Sequence, residues 1–159
     1  MKKNITLFNK KVFKYIKYNN SNVFYLKKKN FLLLENISDL ILLGLNKKKD
    51  LKICMHSNIQ DKIHNMINFL YKKKYYYAHS HNKDEIYHFI KGKLKVILLD
   101  KKVQVDKIII LDKKNPIIRI KKHNYHLTIP VNKFSVFHEI KQGPFLKKNT
   151  KFSLKKYFA

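Results

Sequence analysis

Apolar and polar positions change their rhythm along the chain. Over residues 5–18 and 22–34 short apolar runs interrupt basic ones, a pattern open to strands or short helices. NISDLILLGL (36–45) predicts a short helix, with Ser38 placed to cap its start and Gly44 near its end. From about residue 62 the period shortens to nearly two. Candidate strands are IHNMINFL (63–70), YYYAHSH (75–81), IYHFI (86–90), KLKVILL (93–99), VQVDKIIIL (103–111), PIIRI (116–120), YHLTI (125–129) and FSVFHEI (134–140). They are rich in β-branched and aromatic residues, and turn-like breaks fall at 82–84, 91–92, 100–102, 113–115 and 130–133. Strands this short and evenly spaced predict a mainly β sandwich or small barrel and not alternating βαβ units.

The strand period gives one stretch a chemical meaning. In HSHNKDEIYHFIKG (79–92), His79 and His81 share a face of their strand. Residues 82–84 suit a tight turn, after which Glu85 returns to the same pocket, and Gly92 marks a bend that calls for positive φ. Two imidazoles and a carboxylate on adjacent strands form a metal-binding set, and His126, on a later strand, is the best fourth ligand. Such a set suits a divalent ion: Fe, Mn, Ni, Co or Zn. His56 and His64 precede the metal strand and are candidates for lining the pocket or orienting a ligand. His138 and Glu139 fall on opposite faces, so only one can face inward, and His138 is a further candidate for lining the pocket or orienting a ligand. His88 alternates in phase with Ile86 and Ile90 and reads as a core histidine. Tyr125 reads as packing beside His126.

Composition sets the limits. At 159 residues and 45% hydrophobic, the chain is long and apolar enough for one real core. The formal net charge of +26 points towards nucleic acid or an anionic surface. However, Arg119 is the only arginine, and the lysines are scattered in runs at 27–29, 47–49, 72–74, 113–114 and 147–148. Specific nucleic-acid sites lean on arginine and on concentrated basic segments. Lysine accompanied by asparagine, isoleucine and tyrosine is the composition of an AT-rich genome, so no dedicated nucleic-acid or membrane partner is expected; a basic nucleic-acid-binding protein is the lowest-ranked alternative. Cys54 is the single cysteine, which rules out an intrachain disulfide and favours a reducing, cytoplasmic setting.

The 79–92 stretch resembles the first cupin motif: His-x-His, three residues, Glu, six residues, Gly. A narrower resemblance is to the WbuC-type cupin metalloproteins. It rests on Cys54 with His56, His64 with Met66, the 79–92 stretch, Arg119 with Ile120, Tyr125 with His126, His138 with Glu139, and GPF at 143–145. It departs at Lys121, where the family usually has proline. The resemblance implies a single cupin barrel (a double-stranded β-helix or jelly roll) over residues 50–159 with a bound divalent metal. Residues 1–49 would be an extension packing on it. It also implies Arg119 and Tyr125 at or near the pocket, a sugar-like small-molecule ligand from surface-polysaccharide (O-antigen) biosynthesis, an isomerase- or epimerase-like reaction and, by analogy, a homodimer. A non-catalytic, metal-dependent ligand-binding cupin is the alternative.

Overall fold

The structure is a computed structural model that describes residues 7, 9–17, 21–27 and 31–158. Ten strands and one helix follow in the order β1 (Phe13–Lys17), β2 (Ser21–Leu26), α1 (Leu34–Lys47), β3 (Asp50–Cys54), β4 (Ile63–Tyr71), β5 (Tyr75–His81), β6 (Glu85–Leu99), β7 (Val105–Leu111), β8 (Ile117–Ile120), β9 (Tyr125–Gln142) and β10 (Thr150–Phe158). The sheet runs β1-β2-β3-β4-β9-β5-β10, and β6 pairs with β7, β8 and β9. All described pairings are antiparallel except β2 with β3.

Two expected turns are strand interior. The breaks anticipated at 91–92 and 130–133 lie inside β6 and β9, which pair from Glu85↔Lys141 to Leu99↔Tyr125. Register shifts between Phe89 and Lys91 and between Gly92 and Leu94 put the extra residues into bulges. Gly92 keeps the predicted positive φ, at 84°, but uses it to bend a ribbon. A Cβ there would meet the Phe134 carbonyl oxygen at 2.7 Å, so the two strands touch backbone to backbone at the bend. The consequence is closure. His126 and Lys141 lie fifteen positions apart on β9, roughly 50 Å if the strand were straight, yet both reach the Glu85 carboxylate.

The barrel interior is filled by Tyr87, Leu94, Val96, Leu111, Ile118, Ile120 and Phe137. A second core lies between the sheet and α1, where Leu40 and Leu43 pack with Leu51, Ile53, Ile67, Phe69 and Val136. Gly44 lets the helix approach: a side chain there would strike the Phe69 ring. The helix begins earlier than its apolar pattern suggests. Its start is secured by Asn36, whose Oδ1 accepts from the Leu33 amide at 3.0 Å, and the Ser38 hydroxyl instead donates to the Leu34 carbonyl. β1, β2 and α1 thus continue the same sheet and core as the following residues. β3 and β10 were not foreseen. β3 is short, and β10 has a solvated pattern, TKFSLKKYF, with little apolar contrast. Among the described residues no helix is long and apolar enough to cross a membrane.

Candidate metal centre

β5 presents His79 and His81 on one face, and β9 brings His126 opposite His79 in register. One ring nitrogen from each of the three imidazoles lies within 4.8 Å of the others. Glu85, just after the 82–84 turn, is buried beneath them. Its Oε1 is 3.1 Å from His81 Nε2 and its Oε2 is 3.2 Å from His126 Nε2. The turn itself is fastened from outside: Asp84 accepts from Arg119 Nε and from the Lys122 amide, both at 2.8 Å, which hold its carboxyl below the usual range. Arg119 therefore lies outside the pocket, where it fixes the turn that delivers Glu85.

The ring partners fix how the imidazoles point. His126 Nδ1 is 3.1 Å from the Asn124 carbonyl, which can only accept, so the proton sits on Nδ1. Its Nε2 faces the Glu85 carboxylate at 3.2 Å, a contact completed either by a ring proton donated to the carboxylate or by a cation held between the two groups. His81 is oriented similarly, with Nδ1 3.0 Å from Thr150 Oγ1 on β10 and Nε2 towards Glu85. Such outer partners, which fix tautomer and ring orientation, are the usual support of metal-binding histidines. Burial and neighbouring imidazoles hold His79 well below its ordinary value, and burial leads the fall of His81 to about 4. Both rings are therefore neutral at physiological pH, the form a metal requires. The donor set fits a borderline divalent ion.

The sequence reading did not single out two residues that complete the charge arrangement. The Tyr87 hydroxyl donates to Glu85 Oε2 at 2.7 Å, and Lys141 Nζ lies 3.1 Å from Glu85 Oε1 and 3.0 Å from Glu139 Oε1. Burial pushes both carboxyls up. This is outweighed at Glu85 by the His126 hydrogen bond and the Lys141 charge, and at Glu139 chiefly by Lys141, so both stay ionised. Burial, with the Glu85 and Glu139 charges, drives the Tyr87 hydroxyl well above its ordinary range, so it keeps the proton it donates to Glu85. Tyr87 follows Glu85 by two, and Lys141 pairs with Glu85 across β6 and β9. The first relation was available from strand alternation; the second needed the pairing register.

The other candidates lie apart from this cluster to varying degrees. His64 shares a small cleft with His81 and Lys141, and its ring stacks on His56 with centroids 4.2 Å apart. Of the pair 138/139, Glu139 faces inward. His138 sits 3.2 Å from His88 (Nδ1 to Nδ1) and 2.6 Å from Asn65 Oδ1. Tyr125 packs against Ala78, Ile97, Leu99, Leu127 and Ile129. Cys54 is buried, and burial pushes its thiol up to about 12.

Comparison with known proteins places the fold. Residues 46–111 match a family described as a domain of unknown function, DUF6016. No curated protein matches the chain in sequence. Among solved structures the chain is similar to a protein from Shewanella oneidensis, with a TM-score of 0.50 and 13% identity over 59% of this chain and 63% of that one. It is also similar to oxalate decarboxylase from Bacillus subtilis, at 0.49 and 17% over 58% and 24%, and to a structure of DMSP lyases, at 0.46 and 13% over 57% and 44%. The matched part thus spans less than two thirds of each of these chains. The Shewanella oneidensis protein is a cupin, and this chain is a mainly β protein of that fold with a histidine triad able to hold a metal.

Proposed function

We propose that the protein is a divalent-metal-binding cupin that acts on a sugar or sugar-nucleotide intermediate, in the biosynthesis of a surface polysaccharide such as O-antigen. The observation that carries the metal is the convergence of ring nitrogens of His79, His81 and His126 within 4.8 Å of one another, with the Glu85 carboxylate 3.1 Å from His81 and 3.2 Å from His126. The polysaccharide setting is supported by the WbuC-type motif set. His79, His81 and His126 would hold the ion and Glu85 would supply the fourth donor. A bound ion would act as a Lewis acid towards a hydroxyl or carbonyl oxygen, the chemistry that isomerisation or epimerisation needs. The chain's own groups set the stage: Lys141 and Tyr87 keep Glu85 anionic, while Asn124 and Thr150 aim the imidazoles.

One observation favours the non-catalytic alternative. Among the described residues, the acid-base groups closest to the triad are already engaged: Glu139 with Lys141, and Tyr87 with Glu85. Solvent-deuterium incorporation separates the two readings. Incubation of the metal-loaded protein with a panel of nucleotide sugars in D2O is expected to give a product or recovered sugar heavier by one mass unit. Metal-dependent thermal stabilisation by a sugar, without any isotope uptake, would establish the binding-only role.

A further inference from the structure

His79 does not end in a closed chamber. It opens into a groove of about 710 Å³, within the range of small-molecule sites and generous for a single sugar. The groove is built where two lysine runs far apart in sequence converge. α1 ends at Lys47, the φ of 51° at Lys48 turns the chain into β3, and the antiparallel pairing of Leu51 with Phe69 sets residues 48–50 opposite the β4–β5 connection. Lys48 and Lys49 thereby line the groove together with Lys73 and Lys74. Lys73 is ion-paired with Asp50, which also accepts from the Tyr71 amide at 3.0 Å. Among the described residues Lys48, Lys49 and Lys74 have no carboxylate partner.

The aromatic side of the groove is independent of the charge. On β5, Tyr75, Tyr77, His79 and His81 fall on one face, so the metal-binding face continues into two tyrosines. Both rings are exposed, at 43% and 42%. Tyr75 stands roughly 14 Å from His79 along the strand. Phe152, paired with His79 in register and also exposed, flanks the same opening. The Tyr75 and Tyr77 rings meet edge to face at 83°, with Lys156 Nζ 5.0 Å from the Tyr75 centroid, so they give the groove an aromatic wall beside an anion site.

We infer that this groove is the subsite for the phosphate-bearing half of a nucleoside-diphosphate sugar, with Lys48, Lys49 and Lys74 on the diphosphate, the exposed Tyr75 and Tyr77 rings bordering the ligand, and the sugar directed towards His79. The assignment of the sugar end rests on the metal-site reading; the phosphate end rests on the groove alone. Sugar hydroxyls suit a metal and phosphate oxygens suit ammonium groups, and His79 and the lysines line the same groove.

Calorimetric titration of the full-length, Mn2+-loaded chain with UDP-glucose, UDP, glucose 1-phosphate and glucose tests this. Lys49→Ala/Lys74→Ala is compared with Lys113→Ala/Lys114→Ala, which removes the same charge from the turn before β8. UDP and UDP-glucose are expected to bind the wild type. Their affinity is expected to fall roughly tenfold or more in the groove pair, as for one lost charged hydrogen bond, and to change little in the control pair. Equal weakening in both pairs, or no binding of any phosphate-bearing probe, would overturn the assignment. So would single-stranded RNA binding through the same lysines more tightly than UDP-glucose. A His79→Ala/His81→Ala variant keeps the two ideas apart. Lysine-dependent UDP binding retained in that variant supports the subsite whatever its metal content, whereas loss of UDP binding there would count against a phosphate site standing on the groove alone.

Discussion

Lys141 is the keystone charge of the interior, and replacing it with methionine gives a quantitative test of the site's electrostatics. Methionine keeps most of the stem and removes the ammonium from between Glu85 and Glu139, at 3.1 and 3.0 Å. Each contact is worth roughly 5 kcal/mol of Coulomb attraction at an effective dielectric near 20. Much of that attraction offsets the cost of burying the charges, and removing one partner of a buried pair usually costs about 3–5 kcal/mol. Tyr87 and Asn68 still donate to the two carboxylates, at 2.7 and 2.9 Å, so the loss should sit within that range and not above it. Urea unfolding of metal-free protein at pH 7, followed by circular dichroism, measures it. The pH dependence gives a second handle. In the wild type both carboxyls are depressed, so they contribute stability above pH ~4.5 that is lost as pH falls through their folded values. Without Lys141, Glu139 loses the charge that chiefly holds it down, burial and the Glu85 charge raise it, and the variant is penalised as pH rises. The gap between the two proteins should therefore narrow from pH 7 to pH 5. A deficit below about 1 kcal/mol, or one that is flat with pH, would refute the role given to Lys141.

Other consequences are open to measurement. Metal-free protein should lose stability steeply as pH falls from about 6.5 to about 4, because unfolded His79 and His81 take up protons that the folded rings resist; each contributes at most ~1.4 kcal/mol per pH unit, and a flat acid titration would contradict the neutral-ring assignment. Gly92→Ala should cost about 1–2 kcal/mol for its φ alone, plus the displacement of the Phe134 carbonyl; an unchanged urea midpoint would show that the ribbon does not need this bend. Cys54 should resist thiol reagents in the folded protein and react on denaturation, and rapid labelling of the native state would show that the β3–β4 interior opens readily.

Much of the site was legible because strand alternation is a local rule. The period of two places His79 and His81 together, and the short polar segment 82–84 delivers Glu85. Pairing between distant strands is not local. Nothing in KQGPF announces that Lys141 opposes Glu85, and nothing in the two lysine runs announces that they meet at one groove. Gly92 is the instructive case. Its need for positive φ was readable, but the sequence could not distinguish a turn between two strands from a bulge that folds one long strand over. β10 escaped notice for a related reason: its value lies in pairing with β5 and in placing Thr150 and Phe152 beside the histidines, not in an apolar pattern of its own.

The central claim is that three imidazoles and Glu85 hold a divalent ion. Its most direct test is the metal stoichiometry of the full-length protein, purified without chelators or added metal and measured by inductively coupled plasma mass spectrometry beside His79→Ala/His81→Ala. Close to one divalent ion per wild-type chain and almost none in the variant is the expected result. A wild-type protein free of metal that also takes up no Mn2+, Fe2+, Co2+, Ni2+ or Zn2+ on dialysis, or a variant that retains the same metal content, would contradict it.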